Sequence, residues 1–331
     1  HGGCVTNLTY NVTVYPQPQP VITGPTQVCQ NSTGSPVSTS IYTATLFVGD
    51  TYKWDVVGRT ITTPGGATGT GVVGNPSTIT GVNGNSITVT WGTTPNPNAT
   101  VTLTQTSVVG CINRTTLNVN VNPTPNPVIN GPGVVCDNAV ASYSTANNAP
   151  ANSYAWTVTS GNATITAGAN QATATVLTGA IGGGNSFTLQ LIETTNATTC
   201  SKTVTRTITI VPTPAPTITR LTAGGATGGS CLNQVIQYGQ TDATIGTFSY
   251  KWTATSGIIS DVTGNNPGPD NGTTVYVKWN TVGTGTITLA KWHTSSQCTT
   301  TVSQNVTITN PPAPAITGPT NVCGEQIATY S

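Results

Sequence analysis

Along most of the chain, apolar and polar residues alternate in short runs. Ile87-Thr-Val-Thr-Trp91, Val275-Tyr-Val-Lys-Trp279 and Thr116-Leu-Asn-Val-Asn-Val121 are examples. A period of two puts every second side chain on one face, which is the pattern of a half-buried strand. Gly, Pro, Asn and Ser interrupt these runs at intervals of roughly 8–12 residues, the spacing of short strands in a sandwich. Thr makes up about a fifth of the chain, and Val and Ile recur throughout. Such β-branched residues are stiff at χ1 and suit a pleated surface. Met is absent, Glu occurs twice, and no stretch carries a capped 3.6-residue period. The pattern predicts an all-β chain of antiparallel strands.

The alternating runs belong to a larger repeat. Four segments open alike: Pro20-Val-Ile-Thr-Gly-Pro-Thr-Gln-Val-Cys29, Pro127-Val-Ile-Asn-Gly-Pro-Gly-Val-Val-Cys136, a longer Pro216-Thr-Ile-Thr variant ending at Cys231, and Pro314-Ala-Ile-Thr-Gly-Pro-Thr-Asn-Val-Cys323. Each is followed by a Tyr (Tyr42, Tyr143, Tyr238, Tyr330), and the first three then carry a Tyr-x-Trp at Tyr52/Trp54, Tyr154/Trp156 and Tyr250/Trp252. An alternating strand, a further Cys (Cys111, Cys200, Cys298) and a long alternating strand close each set. Set starts at residues 21, 128, 217 and 315 are 107, 89 and 98 apart. One seven-stranded sandwich of about 100 residues fits each.

The expected domains are therefore residues 21–122, 128–211 and 217–310. Residues 1–16 read as the last strand of a preceding repeat and 315–331 as the first strands of a following one, as in a window on something longer. Pro-rich joints separate the repeats: Pro16-Gln-Pro-Gln-Pro20, Pro123-Thr-Pro-Asn-Pro127, Pro212-Thr-Pro-Ala-Pro216 and Pro311-Pro-Ala-Pro314. Proline fixes φ and favours polyproline II, so these are short, semi-rigid linkers.

This order of motifs resembles the PKD-like, Ig-like repeats of secreted Bacteroidota cell-surface proteins, including gliding-type adhesins and other cargo of the type IX secretion route. The resemblance covers essentially the whole chain. It implies tandem Ig-like antiparallel β-sandwiches displayed outside the cell. The third repeat departs from the pattern, because a Gly-rich insertion between Arg220 and Ser230 replaces the Gly-Pro turn.

Charge narrows the function. Lys plus Arg number 9 and Asp plus Glu 8, 5% of the chain, with a net charge of +1. Nine scattered cations cannot build a nucleic-acid surface or a polybasic membrane segment. No apolar run approaches the ~18 residues of a membrane-spanning helix, and His1-Gly2-Gly3-Cys4 lacks the apolar core of a signal peptide.

Few residues suggest chemistry. Trp54, Trp156 and Trp252 fall where an Ig-like sandwich buries its central Trp, so they are expected to be core aromatics. Trp91, Trp279 and Trp292 are better placed to stack on sugars, though the first two sit at matching strand positions. The oxygen-rich loop from Asp261 to Asp270 offers Asp261, Asn266 and Asp270 as calcium ligands without the spacing of an EF-hand; a solvated Asx-turn loop is the competing reading. Copper chemistry would have to use His1 and His293, the only two histidines. Gly182-Gly183-Gly184 precedes no helix and reads as a turn, not a phosphate cradle. Nine Asn-x-Ser/Thr sequons, among them Asn7, Asn31 and Asn196, accompany the Asn- and Thr-rich composition. No cofactor and no catalytic centre are expected.

Eight Cys without a CxxC point to disulfides in an oxidising compartment. Two pairings are open. Separations of 25, 25, 31 and 25 residues suit Cys4–Cys29, Cys111–Cys136, Cys200–Cys231 and Cys298–Cys323, each across a joint. Pairing within repeats gives Cys29–Cys111, Cys136–Cys200 and Cys231–Cys298. The within-repeat pattern is favoured, because an extended 25-residue path can carry two Cys far beyond the ~7 Å Cα limit.

The expectation is a non-enzymatic structural stalk or filament segment of a large extracellular, cell-surface adhesin. The alternative is a set of spacer or carbohydrate-binding repeats on a secreted enzyme. Expected partners are neighbouring repeats of the same chain, other copies in a filament and surface polysaccharide, with no nucleic acid and no membrane insertion.

Overall fold

The structure, a computed structural model, describes residues 2–3, 6–33, 37–57, 60–62, 77–146, 151–181, 185–222, 229–241, 248–296 and 298–330. His1, Cys4 and residues 182–184 lie outside these, as does most of the insertion at 223–228. All named elements are strands, and no helix is long and apolar enough to cross a membrane. The chain forms two compact units. One comprises His1–Gly131, Val140–Leu177 and Phe187–Thr207; the other comprises Pro132–Ala139, Thr178–Ser186 and Ile208–Ser331.

In the first unit, β1 (Gln27–Cys29), β2 (Thr39–Thr43), β3 (Thr51–Val56), β4 (Thr60–Thr62), β5 (Ser77–Val82), β6 (Ser86–Thr90), β7 (Asn96–Thr106) and β8 (Ile112–Asn122) make two sheets. Their orders are β1-β8-β7-β3-β5 and β2-β6-β4. Alternate residues of both sheets meet in one core around Trp54, Trp91, Tyr42, Val101 and Leu103. Beyond it lie β9 (Ile129–Asn130), β11 (Val140–Thr145), β13 (Ala163–Ala167) and β14 (Thr173–Thr178), in the order β13-β14-β11-β9. Antiparallel to each other run β12 (Asn152–Gly161) and β15 (Ser186–Thr195).

The second unit opens with β10 (Val134–Cys136), which pairs with the end of β16 (Ser201–Val211). It continues with β17 (Thr217–Arg220), β18 (Gly229–Cys231), β19 (Val235–Thr241), β20 (Phe248–Thr255), β21 (Gly257–Ser260), β22 (Thr274–Trp279), β23 (Gly283–His293) and β24 (Thr299–Thr309). The sheets are β17-β19-β22-β21 and β18-β24-β23-β20, closed over a core of Trp252, Trp279, Tyr238, Ile287 and Leu289.

Two local devices explain the repeated motifs. The Gly of each Gly-Pro lies under the following Tyr ring, Gly24 under Tyr42, Gly131 under Tyr143 and Gly318 under Tyr330. In two of the three the Tyr hydroxyl then donates to the next proline's carbonyl, Tyr42 to Pro25 at 2.9 Å and Tyr330 to Pro319 at 3.2 Å. The Tyr-x-Trp tryptophans are buried, and each Nε1 donates to a backbone carbonyl at 2.8 Å: Trp54 to Gly84, Trp156 to Gln171 and Trp252 to Gly272. A buried indole N–H needs such a partner. Trp91 and Trp279 are also buried and meet Tyr42 and Tyr238 edge-on.

Candidate functional site: the stapled joints

The short strand bearing the first Cys of each repeat pairs in parallel with the end of the last strand. Cys29 lies opposite Asn122, Cys136 opposite Val211 and Cys231 opposite Thr309. The next residue continues the ladder, Gln30, Asp137 and Leu232 each donating its N–H at 2.9 Å to the carbonyl of Asn122, Val211 and Thr309. The first Cys therefore sits where the chain leaves a repeat. The second Cys closes the turn before the last strand. Cys111, Cys200 and Cys298 accept bonds from the backbone N–H of Ser107, Thr195 and His293 at 2.9, 2.9 and 3.0 Å. It therefore sits where the chain enters a repeat.

This polarity overturns both expected pairings. The two bonds formed are Cys29–Cys200 and Cys136–Cys298, with Cα separations of 5.5 and 5.6 Å. Each joins the first Cys of one repeat to the second Cys of the next. A within-repeat bond is impossible because the last strand intervenes. Cys29 is beside Asn122, whereas Cys111 just precedes the 11-residue β8, so about 35 Å separates them at ~3.3 Å per residue. Cys231 and Cys298 are held apart by β24 in the same way. The joint-spanning Cys111–Cys136 pair fails too, because β8 carries the chain from Cys111 to the joint, leaving Cys111 at its far end. Among the described residues Cys111, Cys231 and Cys323 are free, so the expected disulfides of Cys111 and Cys231 do not form.

Hydrogen bonds fasten each joint beside its disulfide. In the first unit, Gln30 Nε2 donates to Thr124 Oγ1 at 3.2 Å, and Lys202 Nζ donates to Asn126 Oδ1 at 2.9 Å. In the second unit, Thr213 N donates to Asp137 Oδ1 at 2.8 Å, and Thr300 Oγ1 donates to the Pro214 carbonyl at 2.6 Å. The same positions act each time: the residue after the first Cys, the second residue of the joint, and the residue two beyond the second Cys. Asn113, two beyond Cys111, likewise donates to the Pro18 carbonyl at 2.8 Å. Proline lacks an N–H, so side chains reach its carbonyl or its neighbours instead.

At the entry end of each repeat lies a second feature, missed in sequence reading. The Tyr of Tyr-x-Trp pairs across the sheet with a polar residue, Tyr52 with Gln105, Tyr154 with Glu193 and Tyr250 with Lys291. All three polar residues are buried, at 1%, 0% and 1% exposure. Each meets the residue two before the Tyr. Gln105 Nε2 donates to Asp50 Oδ2 at 2.6 Å, Asn152 Nδ2 donates to Glu193 Oε1, and Lys291 Nζ stands 4.1 Å from the Phe248 ring centroid. The chemistry changes from repeat to repeat, but the partner always matches. Burial raises the Glu193 carboxyl above its ordinary range, against the lowering effect of the Asn152 bond. Aligning the repeats on Tyr-x-Trp would have placed these pairs in register, but their contact depends on the sheet. Asp50 and Gln105 also line, with Pro16–Gln19, a cleft of about 480 Å³ under the first joint.

The remaining candidates disperse. The Asp261 carboxylate accepts from Thr263 N at 2.8 Å, Thr263 Oγ1 at 2.6 Å, Asn265 N at 2.9 Å and Asn265 Nδ2 at 3.3 Å. These bonds, led by that of the Thr263 hydroxyl, lower its pKa to about 2. Asp270 instead forms an ion pair with Lys251. Among the described residues no three His, Cys, Asp or Glu gather into a metal site. The His293 ring meets Phe248 edge-on at 5.3 Å, and its Nδ1 lies 3.0 Å from Ser295 Oγ.

No protein-family model matches the chain, and no curated protein matches it. Solved structures do. A three-domain I-band fragment of titin, I67–I69, is 11% identical, covering 89% of this chain and 99% of its own, with a TM-score of 0.32. Extracellular domains 3–5 of Drosophila OTK are 8% identical, covering 87% and 98%, with a TM-score of 0.33. Fibronectin(III)-like modules of Clostridium thermocellum CbhA are 12% identical, covering 56% and 95%, with a TM-score of 0.34. The chain's own paired sheets, closed over single cores, give the fold of tandem Ig-like β-sandwich repeats. Disulfides persist in oxidising surroundings, and with two of them the chain is an extracellular or secreted one.

Proposed function

We propose that this chain is a stalk segment of a large secreted cell-surface adhesin of the Bacteroidota type its motifs resemble. It extends a binding tip away from the cell and does no chemistry itself. One observation carries the reading: two successive joints are each tied by a disulfide and by side-chain hydrogen bonds to the joint. A simple spacer needs only a linker, whereas a segment under tension gains from covalent ties between neighbours. The partners are then other repeats of the same chain, and the charge-poor Thr and Asn surface attracts polyions of neither sign. Immunogold labelling of intact producing cells with antibody to residues 21–122 tests this. Gold standing off the envelope in linear tracks is expected. Antigen found only in the medium, co-purifying with a hydrolase activity on the same polypeptide, would favour the accessory-spacer role instead.

A further inference from the structure

We infer that Cys111 and Cys231 are two further halves of the same repeat-to-next-repeat disulfide. Cys231 would bond to the turn Cys of the repeat entered through Pro311–Pro314. Cys111 would bond to the first-strand Cys of the repeat that leads into Pro16–Pro20. The inference rests on the tandem-array reading above.

Neither cysteine stands alone. Each is the repeat-equivalent of two cysteines that are bonded in this chain. Cys231 has the parallel register of Cys29 and Cys136, opposite the last residue of the final strand, with the same 2.9 Å bond from the following residue. Its position in the third repeat is thus that from which Cys29 reaches Cys200 and Cys136 reaches Cys298. Cys111 closes the same turn as Cys200 and Cys298. Beside it the joint is docked as at the bonded sites. Asn113 holds the Pro18 carbonyl as Thr300 holds that of Pro214, and the Cys111 Sγ lies 3.9 Å from the Tyr15 carbonyl. What both lack is a thiol from another repeat. The observed separations of 171 and 162 residues set where that thiol falls. It lies a similar distance after Cys231 and before Cys111.

Each bond forms as two thiols lose two protons and two electrons to a protein or small-molecule disulfide, which is reduced to two thiols by exchange. The product is a continuous ladder in which every repeat is bonded to the next, with consecutive loops overlapping in sequence.

The test is peptide mapping of the protein isolated from its producing cells without reductant, with free thiols trapped by N-ethylmaleimide. Cys111 and Cys231 are expected in disulfide-linked peptides, Cys231 with a turn Cys and Cys111 with a first-strand Cys of another repeat. Recovery of either as the maleimide adduct overturns the inference, as does a bond from either to any other class of cysteine. If Cys29–Cys200 and Cys136–Cys298 are found while Cys111 and Cys231 are alkylated, the ladder fails and the stalk reading stands. If those two bonds are also missing, the stalk reading loses its support as well.

Discussion

The overlap of the two disulfide loops makes a quantitative mechanical prediction. Cys29 and Cys298 are 269 residues apart along the chain. Unbonded, that stretch would extend to about 940 Å at ~3.5 Å per residue. With both bonds present, Cys29 is joined to Cys200 and Cys136 to Cys298. Three stretches of backbone then connect the two bonded points in parallel: 29 to 136, 136 to 200 and 200 to 298. They hold 107, 64 and 98 residues, by subtraction of these positions. The shortest limits the extension, so fully unravelled sandwiches reach only about 220 Å between Cys29 and Cys298. Removing one bond leaves a single longer path. The pair Cys29→Ser with Cys200→Ser gives 107 residues, about 370 Å, and Cys136→Ser with Cys298→Ser gives 98 residues, about 340 Å. Single-molecule pulling from handles placed just outside residues 29 and 298 reads these lengths directly. Four plateaus in the order both bonds, second pair removed, first pair removed and fully reduced are expected. An oxidised chain that extends past about 220 Å without backbone rupture would refute the bonding pattern.

Other outcomes follow from single sites. Removing the Cys29–Cys200 bond by Cys29→Ser with Cys200→Ser should lower stability by about 5 kcal/mol in the chain-entropy limit for a loop of this length, measured by urea denaturation beside the intact oxidised chain. Gly131→Ala should destabilise by about 1–3 kcal/mol, because φ there is +142° and a Cβ would stand 2.5 Å from the Tyr143 ring; unchanged midpoints would remove the Gly–Tyr device. Gln105→Leu strips the Asp50 carboxylate of a buried partner and should cost about 1–3 kcal/mol, whereas Asp50→Asn in that background should recover part of it. Glu193 holds its proton more tightly folded than unfolded. Its contribution to stability is therefore complete below the unfolded carboxyl pKa and is lost as pH rises through the raised folded value. Glu193→Gln should raise the urea midpoint at pH 7 and leave it unchanged at pH 4; an equal shift at both would rule out titration.

Much was legible in the sequence because it is local. A period of two and Pro at the joints act within a few residues, so they repeat wherever the motif repeats. The all-β class, the tryptophan positions and the Pro-rich joints can all be read from Trp54, Pro123 and their equivalents. The cysteine count and its periodicity were equally plain, yet they pointed to two wrong pairings. Sequence distance says nothing about which end of a sandwich a residue occupies. Only the parallel pairing of a three-residue strand with the end of an 11-residue one shows that Cys29 and Cys111 lie at opposite ends of the same repeat. The polar pairs at Gln105, Glu193 and Lys291 were hidden for the same reason, since their cross-strand partners are 39 or more residues away and meet only through sheet register. Local propensity determined the strands and joints of this protein. Which distant residues touch, and so which repeats are bonded, was decided by the direction and length of strands that only the folded sheet sets side by side.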